Sequence, residues 1–128
     1  MRNLTIVVAD DNHVFRKILC DFLASFGRVT VVAEAVDGDH AVELTRKLRP
    51  DVVLMDISMP NKTGLEAAKI IKNKFPYIYV VVITLYDGDI YRQLAKDCLA
   101  DDFISKSDMK NKLTALIMHR LNAGAYGA

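Results

Sequence analysis

Tryptophan is absent from the 128 residues and there are only two cysteines. Cys20 and Cys98 are far apart, with no C-x-x-C pair and no metal-type spacing, which excludes a disulfide scaffold or a zinc knuckle and leaves two reduced, packed thiols. An excess of either charge is missing as well. Seventeen basic and 16 acidic side chains give a formal charge of +1, so nothing global drives this chain onto nucleic-acid phosphates or anionic lipid. No apolar run approaches the roughly 20 residues of a membrane helix. The start, Met1-Arg2-Asn3-Leu4, lacks a long apolar signal region, and the expectation is a soluble, cytoplasmic protein with no membrane partner. Low-complexity stretches and internal linkers are also missing.

What is present is enough apolar material for a core, 52% of residues, in a length that suits one compact domain rather than two. Leu4-Thr5-Ile6-Val7-Val8-Ala9 is a β-branched run ending in Asp10-Asp11-Asn12, the pattern of a strand buried on both faces. The period then changes: Val14, Phe15, Ile18, Leu19, Phe22, Leu23 and Phe26 recur at three- and four-residue steps and stop at Gly27, which predicts a helix. The alternation repeats. Strands are expected at Val29 to Ala35, Val52 to Met55, Tyr79 to Ile83 and Phe103-Ile104, and helical stripes at Ala41 to Leu48, Leu65 to Ile71, Ile90 to Cys98 and Leu113 to Leu121. Pro50 and Pro76 close the second and third helices. Five βα units with continuously apolar strands predict a doubly wound α/β sandwich, a five-stranded parallel sheet with five helices in the flavodoxin-like (βα)5 arrangement. An eight-unit barrel would need roughly 250 residues. Residues 1–121 are expected to form the domain, and the small residues of 122–128 a flexible tail or the start of a linker.

In open α/β sheets the ligand crevice lies beyond the carboxyl ends of the strands. Those ends deliver Asp10 and Asp11 from the first strand, Asp56 from the third, Thr84 from the fourth, and Lys106 just after the fifth. Three carboxylates in one place repel unless a cation compensates, and Mg²⁺, which prefers oxygen ligands and keeps waters that phosphate can replace, answers that need. Lys106 and the Thr84 hydroxyl can bind phosphate oxygens, so the set describes a site for a phosphoryl group. Asp56, alone at its strand end before a polar loop, is the candidate nucleophile, since aspartate attack on phosphorus gives an acyl phosphate. Any one of these residues alone reads as an ordinary turn or cap residue; their coincidence at successive strand ends carries the inference.

The sequence resembles the receiver domain of bacterial two-component response regulators over essentially its whole length. The matching segments are Ile6 to His13, Pro50 to Pro60 with Gly64, Ile83-Thr84, and Asp102 to Lys106. The style of Val31-Val32-Ala33-Glu34-Ala35 and of Lys106-Ser107 is most similar to receivers that precede a helix-turn-helix DNA-binding domain. The resemblance implies a phosphorylation-dependent switch in which Asp56 accepts a phosphoryl group from a sensor histidine kinase. It also implies that Asp10, Asp11, Asp56 and the Ser58 backbone carbonyl hold Mg²⁺, that Thr84 and Lys106 contact the phosphoryl group, and that Phe103 is the switch aromatic that follows Thr84. Output through an attached domain or a partner protein, and a homodimer, belong to the same expectation. Catalysis is expected only for the protein's own phosphorylation and dephosphorylation. Departures from the pattern are Ser107 in place of a frequent proline, Leu85 beside Thr84 in place of a small residue, Tyr86 two residues after Thr84, and Leu99 where glycine is common. His13 is expected at the surface, and neither His40 nor His119 carries a phosphorelay signal. Two other readings compete: a stand-alone receiver serving as adaptor or phosphate sink, and an aspartate-nucleophile phosphohydrolase. The second would want an Asp two residues after its first-strand nucleophile, where this chain has Asn12.

Overall fold

The computed structural model describes residues 3–85 and 88–127. Its elements alternate without exception: β1 (Leu4–Ala9), α1 (His13–Ala24), β2 (Val29–Ala35), α2 (Gly38–Leu48), β3 (Val52–Asp56), α3 (Gly64–Lys74), β4 (Tyr79–Thr84), α4 (Asp89–Asp97), β5 (Asp102–Ser105), a 3₁₀ turn (Lys106–Asp108) and α5 (Met109–Gly127). The five strands form one parallel sheet in the order β2-β1-β3-β4-β5. This is the expected flavodoxin-like sandwich. Its strand order reverses between β1 and β3, and the crevice of such a sheet opens at that reversal.

Alternation along the strands sends successive side chains to opposite faces. Ile6, Val8, Leu54, Val81, Ile83 and Ile104 pack with Leu19 and Leu23 of α1 and with Met109, Leu113 and Ile117 of α5. Val7, Ala9, Val53, Met55 and Val80 pack on the other face with Ala41 of α2 and Ala67, Ala68 and Ile71 of α3. Because both faces are covered, the central strands read as unbroken apolar runs. Met55 and Met59, on either side of Asp56, are both buried packing residues. Cys20 and Cys98 are free, half-buried thiols. No helix among the described residues is long and apolar enough to cross a membrane.

Three expectations change in detail. The apolar stripe of the first helix is wider than the face it buries: Leu19 and Leu23 are buried and Phe15 and Phe22 pack on the core, whereas Val14 and Ile18, at the margin of the arc, are exposed. α4 buries only Ala95 of the five residues in its expected stripe, because its outer face has no helix beyond it in the sandwich; Ile90 stays 67% exposed. The backbone of α5 continues through Asn122 to Gly127, the stretch whose composition suggested a tail.

Candidate functional site

β1, β3, β4 and β5 end at one rim of the sheet, and each end is fixed locally. After Ala9 the chain turns at Asp10, whose carboxylate Oδ1 accepts the backbone N–H of Asn12 at 2.8 Å. Asn12 then caps α1, its side chain accepting the N–H of Phe15 at 3.0 Å. Arg16 braces this turn from within the helix: Nη1 donates to the carbonyl of Asp10 at 2.8 Å, while Nε pairs with Glu34 at the end of β2 at 2.9 Å. Asp56 closes β3, and its Oδ2 accepts the N–H of Ser58 at 3.2 Å. The following loop is drawn tight against α3, where Gly64 N–H donates to the carbonyl of Ile57 at 2.8 Å and a Cβ on Gly64 would lie 2.0 Å from the Asp56 carbonyl oxygen. Only glycine permits that approach.

The structure brings together Asp10, Asp11 and Asp56, which can each offer a carboxylate oxygen within 4.8 Å of the others. Asp10 and Asp56 are buried and Asp11 is exposed. The Lys106 ammonium, on a side chain only 9% exposed, reaches across from the 3₁₀ turn to Asp10 Oδ2 at 2.9 Å and Asp56 Oδ1 at 3.3 Å. Thr84, at the end of β4, is buried and stands opposite Ser105 in the β4–β5 register. Burial pushes the Asp56 carboxyl up from 3.8 to about 6; the negative charge of Asp10 adds to the rise, and Lys106 and the Ser58 N–H oppose it. One lysine against three carboxylates leaves the cluster net negative. Hard oxygen donors at this spacing, two of them buried, fit a small divalent cation with open positions.

The remaining expected residues fall as follows. Ser58 is exposed at the mouth of the loop. Phe103 of β5 is half-buried with the Arg92 guanidinium 4.9 Å from its ring centroid. Leu85 is 74% exposed and therefore contributes nothing to the core. Tyr86 lies outside the described residues. Ser107 sits in the 3₁₀ turn, with its hydroxyl 2.9 Å from that of Ser105. Leu99 adopts φ 67°, so the turn keeps the left-handed shape a glycine would favour and places a leucine in it. His13 is exposed. Sequence reasoning missed Phe15 and Arg16 at this rim: Phe15 was absorbed into the apolar stripe, although its ring centroid lies 3.9 Å from the Lys106 ammonium. An aromatic residue one turn after an acidic pair was the available signal.

A flavodoxin-like sandwich with three carboxylates and a buried ammonium at the reversal of its strand order defines a class of phosphoryl-handling signalling domain. The chain belongs to the response regulator receiver domain family, whose pattern matches residues 6–118. It is 33% identical over 123 residues to the transcriptional regulatory protein DegU of Brevibacillus brevis, a match covering 96% of this chain and 52% of that protein. It is 45% identical over 92 residues to a protein-glutamate methylesterase/protein-glutamine glutaminase of Myxococcus xanthus, covering 72% of this chain and 26% of that one. The chain thus spans about half the length of the first relative and about a quarter of the second. Among solved structures it is similar to the response regulator domain of Thermotoga maritima CheB, with TM-score 0.85, 33% identity, and coverage of 94% and 98% of the two chains. It is also similar to a LuxR-family two-component response regulator from Aurantimonas, with TM-score 0.87, 26% identity, and coverage of 94% and 86%.

Proposed function

We propose that this receiver is a phosphorylation-controlled switch in which Asp56 takes a phosphoryl group from the phosphohistidine of a sensor histidine kinase. The observation that carries the reading is the juxtaposition of Asp10, Asp11 and Asp56 with a buried Lys106 at the rim of the sheet. Asp10, Asp11, Asp56 and the Ser58 backbone carbonyl would hold Mg²⁺, which would supply charge neutralisation for the carboxylates and the incoming phosphoryl group. An oxygen of Asp56 attacks phosphorus in line, the P–N bond to the kinase imidazole breaks, and its electron pair returns to the ring nitrogen, which takes a proton from solvent. Lys106 exchanges a carboxylate contact for a phosphoryl oxygen, and the Thr84 hydroxyl donates to another. Hydrolysis reverses the state when water attacks the same phosphorus and releases phosphate. While the phosphoryl group is in place, movement of Thr84 toward it draws Phe103 inward, which carries the change to α4, β5 and α5.

Under this reading the chain catalyses only its own phosphorylation and dephosphorylation, residues 1–121 form the module, and 122–128 lead out of it. Its setting is the cytoplasm. The DegU-like relative favours transcription control as the output, through an attached domain or partner protein and with a homodimer as the route, while this chain makes no nucleic-acid contact of its own. The test is labelling by a small acyl phosphate with Mg²⁺, read by intact mass and peptide mapping. One phosphoryl group on Asp56, absent in Asp56→Asn, is expected; label on a histidine, or a stably labelled Asp56→Asn protein, overturns the assignment.

A further inference from the structure

The Lys106 ammonium has three N–H donors and faces two carboxylates, Asp10 at 2.9 Å and Asp56 at 3.3 Å. Among the described residues it also faces an uncharged group. The ring centroid of Phe15 lies 3.9 Å from Nζ, within the distance at which the negative face of an aromatic ring attracts a cation, and the lysine side chain is 9% exposed, so little water weakens the attraction. The position of the ring is built rather than incidental. Phe15 N–H is bound by the Asn12 side chain, the Asn12 N–H is bound by Asp10, and the ring packs on the core beneath α1. The turn that presents the acidic pair therefore also places the ring.

We infer that Phe15 is a positioning residue for Lys106, holding its ammonium at the phosphoryl site. The inference rests on the reading of the site given above. An acidic side chain in the place of the ring would compete with the phosphoryl group for the N–H donors and add a fourth negative charge. A ring attracts the same cation through its quadrupole and leaves those donors for incoming oxygens. Were a divalent cation to share the charge of Asp10, the ring would still attract the ammonium and keep it at the rim.

The test has a structural arm and a kinetic arm. In protein carrying ¹³C-lysine, the Lys106 ε-methylene resonances of the parent are expected upfield of those of the other lysines, because they lie beside a ring face. Phe15→Leu should return them to the ordinary position and Phe15→Tyr should keep them displaced. In phosphorylation by acetyl phosphate at saturating Mg²⁺, Phe15→Leu is expected to be slowed about thirtyfold, the size of a desolvated cation–π contact. Phe15→Tyr should restore the rate, and Phe15→Leu should have no further effect in a Lys106→Ala background. Ordinary Lys106 resonances in the parent overturn the inference without any substitution, and so does an equal slowing by Phe15→Leu in both backgrounds. A labelled parent with an unaffected Leu variant overturns this inference alone. A parent that takes no label overturns the reading of the site and this inference with it.

Discussion

Two helices that flank β4 in sequence are held in opposite ways. α3 begins with a capping box, in which the Thr63 hydroxyl accepts the N–H of Glu66 and the Glu66 carboxylate accepts the N–H of Thr63. It buries Gly64, Ala67, Ala68 and Ile71, and beyond its last turn Lys72 ties the carbonyls of Pro76 and Ile78 to Asp101, each at 2.8 Å. α4 begins at Gly88, which has no side chain to cap with, buries only Ala95, and leaves Ile90 and Leu94 exposed. The first helix anchors the loop that follows Asp56. The second borders β5, where Arg92 covers Phe103. A switch needs both kinds of part: a fixed frame that keeps the reacting groups in register, and a neighbouring element whose position costs little to change.

The sharpest way to break the comparison is to crowd each helix start with one methyl group. Gly64→Ala places a Cβ 2.0 Å from the Asp56 carbonyl oxygen and should cost about 3 kcal/mol or more in denaturant unfolding. Gly88→Ala, whose nearest neighbour is the Tyr91 ring at 3.9 Å, should change stability by less than about 0.5 kcal/mol. Next in size is the charge strain at the anchored rim. Because the folded-state pKa of Asp56 is raised from 3.8 to about 6, ionising it weakens the metal-free fold as pH rises through that interval. Asp56→Asn should therefore stabilise the metal-free protein by up to about 3 kcal/mol above pH 6, with the gain fading to nothing toward pH 4 in urea titrations. An unchanged or lowered stability at neutral pH would show that Lys106 fully offsets the strain. The smallest effect is expected at the end of the loosely held helix. Leu99→Gly removes the penalty of a left-handed leucine but adds freedom to the unfolded chain, for a net gain of about 1 kcal/mol or less by thermal unfolding.

The difference between the helices was only partly legible in the sequence. Strand runs and strand ends were plain, because a sheet covered on both faces needs unbroken apolar runs, and the first polar residue after each run falls at the rim by construction. Asp10, Asp56 and Thr84 stand at such ends, with Asp11 and Lys106 one residue further on. Periodicity does not report how much of a stripe is covered. Val14, Ile18 and Ile90 carry the same pattern as Leu19 and Ile71, and only the placement of the neighbouring layer separates exposed from buried. Residues with two duties were hidden for the same reason: Phe15 packs on the core and faces Lys106, and the stripe explained it too easily. Leu99 departs from the glycine common at this turn, yet its backbone takes the left-handed shape a glycine would favour, which the residue type alone does not announce.

Hydrogen exchange on the Mg²⁺-bound protein, with and without a beryllium fluoride mimic of the phosphoryl group, tests most directly the claim that chemistry at Asp56 is transmitted through the loosely held side. The expected result is slow, unchanged exchange across α3, residues 64–74, and altered protection across α4 and β5, residues 88–105, in addition to the loops around Asp56. Changes confined to the immediate surroundings of Asp56, or as large in α3 as in α4, would contradict it.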